Sequence, residues 1–322
     1  MKRRVAIAAT VGAVGGLGLV RATAPPSWPS ISRVAILHAE AYSDKLDSLL
    51  YDGLKLFRLP LQDKTVLLKP NLVEYLPGVE VNTNPWLVGA TAVAFLRLGA
   101  SRVLVGEGPG HQRDTQLVLV ESGMAGQLRE RKIEFVDLNR GDVVSVRTSS
   151  SYTSFGTFWL PESVLAADFV VSMPKVKTHH WTGVTLSLKN MFGAIPGSVY
   201  GWPKNPLHWQ GIERSILDIC ATIRPDFVVA DGIIAMEGNG PLHGADRHLQ
   251  KIVLADDPVA ADFTCARLMG LAPERIFHLE QASRFLGNGR TGAIQMLGEG
   301  MPRQVEPFAV LSRFRNIVSR DC

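Results

Sequence analysis

Cysteine is scarce: three in 322 residues, at Cys220, Cys265 and Cys322. No C-x-x-C spacing occurs, which excludes the iron–sulfur and zinc-ribbon classes built on paired cysteines. Cys220 and Cys265 stand in apolar helical contexts and read as inert core thiols. Clustered positive charge is also missing. The formal net charge is +4 and no Lys/Arg block is longer than Lys2-Arg3-Arg4, so nucleic acid is not expected as a partner. Phosphate-cradling motifs are absent as well. The glycine-rich turn at Gly106–Gly110 is followed by no Gly-Lys-Ser/Thr and does not spell G-x-G-x-x-G. No internal repeat or low-complexity segment is present. The apolar run from Val5 to Val20 is 16 residues, short for a bilayer span of about 20.

What is there begins with a targeting pattern. Lys2-Arg3-Arg4, the apolar run, Ala22-Thr23-Ala24 and Pro25-Pro26 match a secretory signal peptide over residues 1–25, or an uncleaved anchor. Arg3-Arg4 suits a twin-arginine route, although Val5-Ala6-Ile7 lacks the usual Phe-Leu-Lys continuation. The expected location is therefore exported, periplasmic or extracytoplasmic, with membrane contact only through this segment.

Past the Pro-rich linker, strand and helix patterns alternate. Strands are predicted at Arg33–Leu37, Thr65–Leu68, Arg102–Val105, Ile133–Val136, Phe169–Ser172, Phe227–Ala230 and Ile252–Leu254. Helices are predicted at Ser43–Phe57 with Ser43 as N-cap, at Pro85–Leu98, Thr115–Leu128 and Ile212–Ile223, and at Pro258–Met269 behind an Asp257 cap. Val143–Leu160, rich in Ser and Thr and alternating in apolarity, reads as a β-hairpin insertion. The composition, 46% hydrophobic and 20% charged, suits one soluble α/β domain over residues 31–285. Its sheet is expected to be mostly parallel, with helices on both faces. Residues 286–322 show no rhythm and read as a surface tail.

Ligands of open α/β sheets bind where strands end, so the segments after strands are the candidates. Lys69 and Asn71 follow the second strand, where they suit an anion; a turn in which Asn71 bonds its own backbone after Pro70 is the other reading. In Gly106–Thr115, Gly106 and Gly108 let backbone approach a ligand, and His111 and Arg113 suit an acid/base group and an anion clamp. The stretch Pro174 to Asn190 is the densest. Lys175 and Lys177 share one side of an extended chain, His179 and His180 are adjacent and expected to point apart, and Lys189 follows. Asp231 ends a strand, with Glu237 and His243 downstream, and is a candidate metal ligand or a backbone cap. His208 is a further candidate ligand.

These residues resemble the family known as domain of unknown function 362, over roughly Val66 to Gly270. The carriers are Leu68-Lys69-Pro70-Asn71, Gly106-Glu107-Gly108, Met173 to His179, Leu188-Lys189-Asn190 with Gly193 and Pro196-Gly197, and Asp231-Gly232 with Gly238 to Pro241. Some members carry ferredoxin-like cysteine clusters; this chain has none, so no iron–sulfur role follows. The run His179, Thr182-Gly183, Lys189 and Pro196-Gly197 is also similar to the lactate racemase family, which uses a nickel-pincer nucleotide. That likeness implies Lys189 as cofactor lysine, His179 as catalytic base, His111 with Arg113 as second histidine and anion partner, and His208 as nickel ligand. The stretch before Lys189 departs from the glycine-rich pattern of that family.

The expectation is an exported enzyme on a small hydroxy or carboxylic acid, racemase- or isomerase-like. Lys69, Lys175, Lys177 and Arg113 would hold the anion, and His111 and His179 would exchange a proton. The cofactor is open between a nickel-pincer nucleotide and a divalent metal. The alternatives are a metal-dependent hydrolase or phosphoryl-type enzyme built on Asp231, Glu237 and a His, and a non-catalytic anion-binding protein.

Overall fold

Strands that are apolar on both faces must be covered on both, and that requirement organises the chain. The computed structural model describes residues 30–110 and 114–319. Its strands are β1 (Ser32–His38), β2 (Thr65–Pro70), β3 (Arg102–Glu107), β4 (Glu134–Asp137), β5 (Val143–Arg147), β6 (Thr157–Pro161), β7 (Phe169–Met173), β8 (Lys175–His179), β9 (Gly183–Thr185), β10 (Phe227–Asn239), β11 (His243–Ala255) and β12 (Ile294–Gly298). The main sheet runs β12-β1-β11-β10-β7-β2-β3-β4, with β8 and β9 attached beside β10. Pairing is parallel except around β11 and within the β8–β9 hairpin. The expected α/β architecture is thus present, and β5–β6 form the expected antiparallel hairpin.

Alternate residues of one strand enter different cores. Val66 and Leu68 pack on one face with helices Lys45–Lys55 and Pro85–Arg97. Leu67 packs on the other with helices Ile212–Ile223 and Pro258–Leu268. Helix Pro85–Arg97 starts where Asn84 accepts a hydrogen bond from Trp86 N at 3.0 Å, with Pro85 in its first turn. Asp257 caps helix Pro258–Leu268 as expected, accepting from Val259 N and Ala260 N.

Several expectations are corrected. Ser43 is not a cap: the first helix starts at Lys45 behind Asp44, without a side-chain cap. The helix expected at Thr115–Leu128 is two helices, Thr115–Glu121 and Met124–Glu130, parted at Gly123. β10 does not end at Asp231 but runs to Asn239, past an irregularity between Gly232 and Ile234. The expected surface tail supplies edge strand β12, parallel to β1, and buries Phe308 and Ile317. An edge strand as short as Ile-Gln-Met-Leu-Gly takes its hydrogen bonds from a distant partner, so no local pattern marks it.

Chain order reverses once. From β2 the chain steps outward through β3 to β4; β7 returns to the opposite side of β2, and β10 follows beyond it. The carboxyl ends of β2 and β7 therefore flank a topological switch point, where open α/β sheets leave a crevice.

Candidate active site at the switch point

A buried ion pair forms the floor. Lys69 closes β2, and its Nζ lies 2.5 Å from Glu107 Oε2 at the end of β3, both nearly inaccessible. Nζ also donates to Pro70 O at 3.1 Å and Asn190 Oδ1 at 3.3 Å. Glu107 accepts backbone N–H groups from Leu72 and Gly108 as well. Two ions out of water need such dense partnering to offset several kcal/mol of desolvation each. Burial still pulls the Lys69 amine below the ordinary lysine range, against the upward pull of Glu107. Gly193 lies against this pair: a Cβ there would strike Glu107 Oε1 and come within 2.7 Å of Lys69 Nζ. Only glycine lets the turn after Lys189 settle on the ions.

Above the floor, a cavity of about 210 Å³ opens between the strand ends, the β8–β9 hairpin and the segment around Lys204. β8 is buried along its whole length, although it reads Lys-Val-Lys-Thr-His. Lys177 Nζ donates to Val81 O at 2.8 Å and Pro241 O at 3.4 Å, with no carboxylate in reach of a salt bridge among the described residues. Burial, then the charges of Lys189 and Lys175, hold its amine well below the usual range.

The two histidines do not point apart. The turn between β8 and β9 closes on Gly183 at φ +79°, and His180 stands in that turn rather than on the strand, so strand alternation ends at His179. Their rings stack, 4.8 Å between centroids and 24° between planes, and both line the cavity. His179 Nδ1 accepts from Trp181 N at 3.0 Å and Thr182 N at 3.4 Å. A neutral ring accepting there carries its proton on Nε2. His180 is the reverse: Nδ1 lies 2.9 Å from the carbonyl oxygen of Gly240, so Nδ1 carries the proton and Nε2 is the acceptor. Burial lowers both imidazoles, His179 strongly, with the Lys189 charge next among its causes, so both are neutral at pH 7.

Lys189 sits in the short helix Ser187–Asn190, whose first turn is held from below by Asp262. That carboxyl accepts from Ser187 N at 2.6 Å and Leu188 N at 2.9 Å. Lys189 lines the cavity, and burial, with the Lys69 charge, holds its amine at about 8. Lys204, missed in the sequence, is a fourth cation. It is buried, takes a left-handed backbone (φ 69°), and donates from Nζ to Gly108 O at 3.1 Å and Gly193 O at 3.2 Å. Burial brings its amine to about 7, against Glu107. Its one trace in the sequence is its place between Pro203 and Pro206, where the chain must turn. In the sequence Glu107 stands only within the Gly106-Glu107-Gly108 motif; its role needs the β2–β3 pairing.

Two buried side-chain oxygens complete the lining. Asn71 Oδ1 and Thr185 Oγ1 have no hydrogen-bond partner among the described residues, and both residues face the cavity. Buried polar atoms are seldom left so without a ligand or water to satisfy them. The sum is a small chamber with three lysines in its lining and one carboxylate, itself already paired.

The other expected residues lie elsewhere. Lys175 Nζ is 3.2 Å from Asp231 Oδ2 and 3.2 Å from Glu80 Oε2, away from the cavity lining. Asp231 also accepts from Tyr42 Oη at 2.7 Å and Asn84 N at 2.9 Å, so its oxygens are already engaged. Glu237 pairs with Arg247 and accepts from Ala309 N, and His243 is exposed, so neither joins Asp231. Gly106 packs against Leu67 and Leu138, whereas Gly108 lines the cavity. His111 and Arg113 lie outside the described residues; Gly110, just before them, lines the cavity. His208 is in the lining, its Nδ1 3.1 Å from Lys204 O and its ring edge-on to Trp181 and Phe192. Cys220 and Cys265 are buried thiols raised well above their usual range, as core thiols are.

Lys189 and His208, the residues that the racemase likeness assigns to a nickel-pincer nucleotide, both line the cavity. The cavity is smaller than the roughly 300 Å³ at which pockets for drug-sized ligands begin. Among the described residues, no three His, Cys, Asp or Glu side chains are grouped to hold a metal ion.

Comparison with known proteins agrees with the motif reading. A relative named thylakoid-associated protein sll1697, from Synechocystis sp., is 30% identical over 247 residues, covering 74% of this chain and 73% of the relative. Among solved structures, the lactate racemase apoprotein of Thermoanaerobacterium thermosaccharolyticum aligns with TM-score 0.46 at 10% identity, over 74% of this chain. A Thermotoga maritima protein aligns with TM-score 0.38 at 14% identity, over 65%. The chain spans 57% and 55% of those two solved chains. Among the described residues no helix is long and apolar enough to cross a membrane. The family model described as Domain of unknown function (DUF362) matches residues 66–267, and the chain belongs to that family.

Proposed function

We propose that this protein is an enzyme acting on a small carboxylate. The cavity ammonium groups hold the anion, and the His179–His180 pair moves a proton. The observation that carries the reading is the charge of the chamber: Lys177, Lys189 and Lys204 line it, against a single carboxylate already bound to Lys69. Cations held in a low-dielectric site gain from an anionic ligand far more than exposed ones do. The two imidazoles favour catalysis over simple capture, since one offers Nε2–H and the other an Nε2 lone pair. The expected result is a rise in melting temperature with millimolar lactate or pyruvate but not with choline, lost in a Lys177→Met/Lys204→Met double variant. Equal response to choline would refute the anion site.

Export belongs to the same proposal. It is supported by the basic, apolar and small-residue order of residues 2–24, and the Synechocystis sp. relative is named for a membrane system. Cell fractionation with N-terminal sequencing should find a mature start near Ala24 outside the cytoplasm. An intact Met1 in the cytosol would contradict it.

A further inference from the structure

Lys189 differs from the other lysines of the site. Lys69 is bound to Glu107, and Lys177 and Lys204 are each anchored on two backbone carbonyls. Lys189 Nζ makes no hydrogen bond or ion pair among the described residues and stands over the Phe192 ring, 5.7 Å from its centroid. An amine left unanchored, half-buried and beside other cations is disposed to be a neutral nucleophile rather than a fixed charge. Lining the same cavity are a proton donor, His179 Nε2–H, a proton acceptor, His180 Nε2, and two unsatisfied side-chain oxygens, Asn71 Oδ1 and Thr185 Oγ1. Fixing an anion requires none of these four. Adding an amine to a carbonyl and expelling water uses both a proton donor and a proton acceptor.

We propose that Lys189 forms a Schiff base with the carbonyl of a small 2-oxo acid, whose carboxylate Lys177 and Lys204 hold. The inference rests on the anion-binding reading of the same cavity. The Lys189 ammonium first gives a proton to His180 Nε2, and the freed lone pair forms the N–C bond as the C=O π pair moves onto oxygen. His179 Nε2–H hydrogen-bonds that oxygen as charge develops. His180 returns its proton to the oxygen, then carries a second from nitrogen to the same oxygen. The C–O bond breaks, water leaves, and the nitrogen lone pair closes C=N. Two protons have passed from nitrogen to oxygen, the positive charge stays on the iminium, and no oxidant or reductant is consumed. The cavity volume suits an acid of pyruvate or acetoacetate size.

The experiment treats the full chain with pyruvate or acetoacetate and borohydride, using lactate, which has no carbonyl, as the matched control. Intact mass and peptide mapping are read beside the melting temperature. Expected are a melting shift with all three acids, and a covalent gain equal to the oxo acid less one oxygen atom, with pyruvate or acetoacetate only, on the peptide containing Lys189. Lys189→Arg, which keeps a cation, should retain most of the shift and lose at least nine-tenths of the adduct. Mapping on wild-type protein stands even where that variant fails to fold. A shift without trapping, or an adduct on another lysine, overturns the Schiff base and leaves the anion site standing. No shift with any of the three acids overturns both.

Discussion

Lys175 and Lys177 stand two residues apart on one buried strand, equally inaccessible, yet their surroundings are opposite. Lys175 meets Asp231, Glu80 and Tyr42, a closed network in which a carboxylate answers the cation. Lys177 meets only carbonyl oxygens and faces a chamber shared with two more lysines. The first lysine has its counter-ion inside the protein; the second lacks one among the described residues. Buried charge of the first kind is structural; buried charge of the second kind is what the proposed anion site would use.

The largest effect should come from opening the closed side. Asp231→Ala leaves the buried Lys175 ammonium with the partly exposed Glu80 as its remaining carboxylate and should cost up to about 3–5 kcal/mol in denaturant unfolding. Affinity of the surviving fold for lactate should change by no more than about twofold, since the network is separate from the cavity. A tenfold change would erase the distinction between the two regions. Lys177→Met should cost less stability, about 1–3 kcal/mol, because it leaves only the Val81 and Pro241 carbonyls short of a donor. It should weaken lactate roughly tenfold in calorimetry, and unchanged affinity would move the anion elsewhere in the chamber.

The smallest effect is the pH dependence of binding. An anion prefers the protonated amines, so affinity should fall as pH rises, over the lowered range of Lys177 and through two further steps. The first lies near 7 as Lys204 loses its proton, and the second near 8 as Lys189 does, approaching about tenfold per pH unit for each proton lost. His179 and His180, both lowered by burial, stay neutral across that window, and Lys69 keeps Glu107 as its partner. Lys189→Arg should abolish the upper step alone.

Much of this site was legible before folding. Lys69, Asn71, Lys177, His179, Lys189 and His208 stand out in the sequence because polar, charged and imidazole groups after apolar strands have little core to enter, and all but Lys69 line the cavity. What failed to read was pairing. Asp231 looks like a strand-end metal ligand because its cation lies 56 residues away in sequence. Glu107 looks like a motif residue until β2 and β3 align and bring Lys69 onto it. His180 looks opposed to His179 only if the strand continues; the turn stacks them instead. Lys204 carries no pattern of its own, and β12 borrows its hydrogen bonds from the other end of the chain.

The sequence by itself determined a two-sided parallel sheet with helical cover, because runs such as Val66–Leu68 and Phe169–Met173 can be buried only between two layers. It also determined that cations would collect at strand ends. Only the tertiary structure decided which cations are neutralised, which nitrogen of each imidazole carries a proton, and which lysine is left without a partner. Those properties depend on distances between groups far apart along the chain, in a medium where a few ångströms change an electrostatic interaction by several kcal/mol.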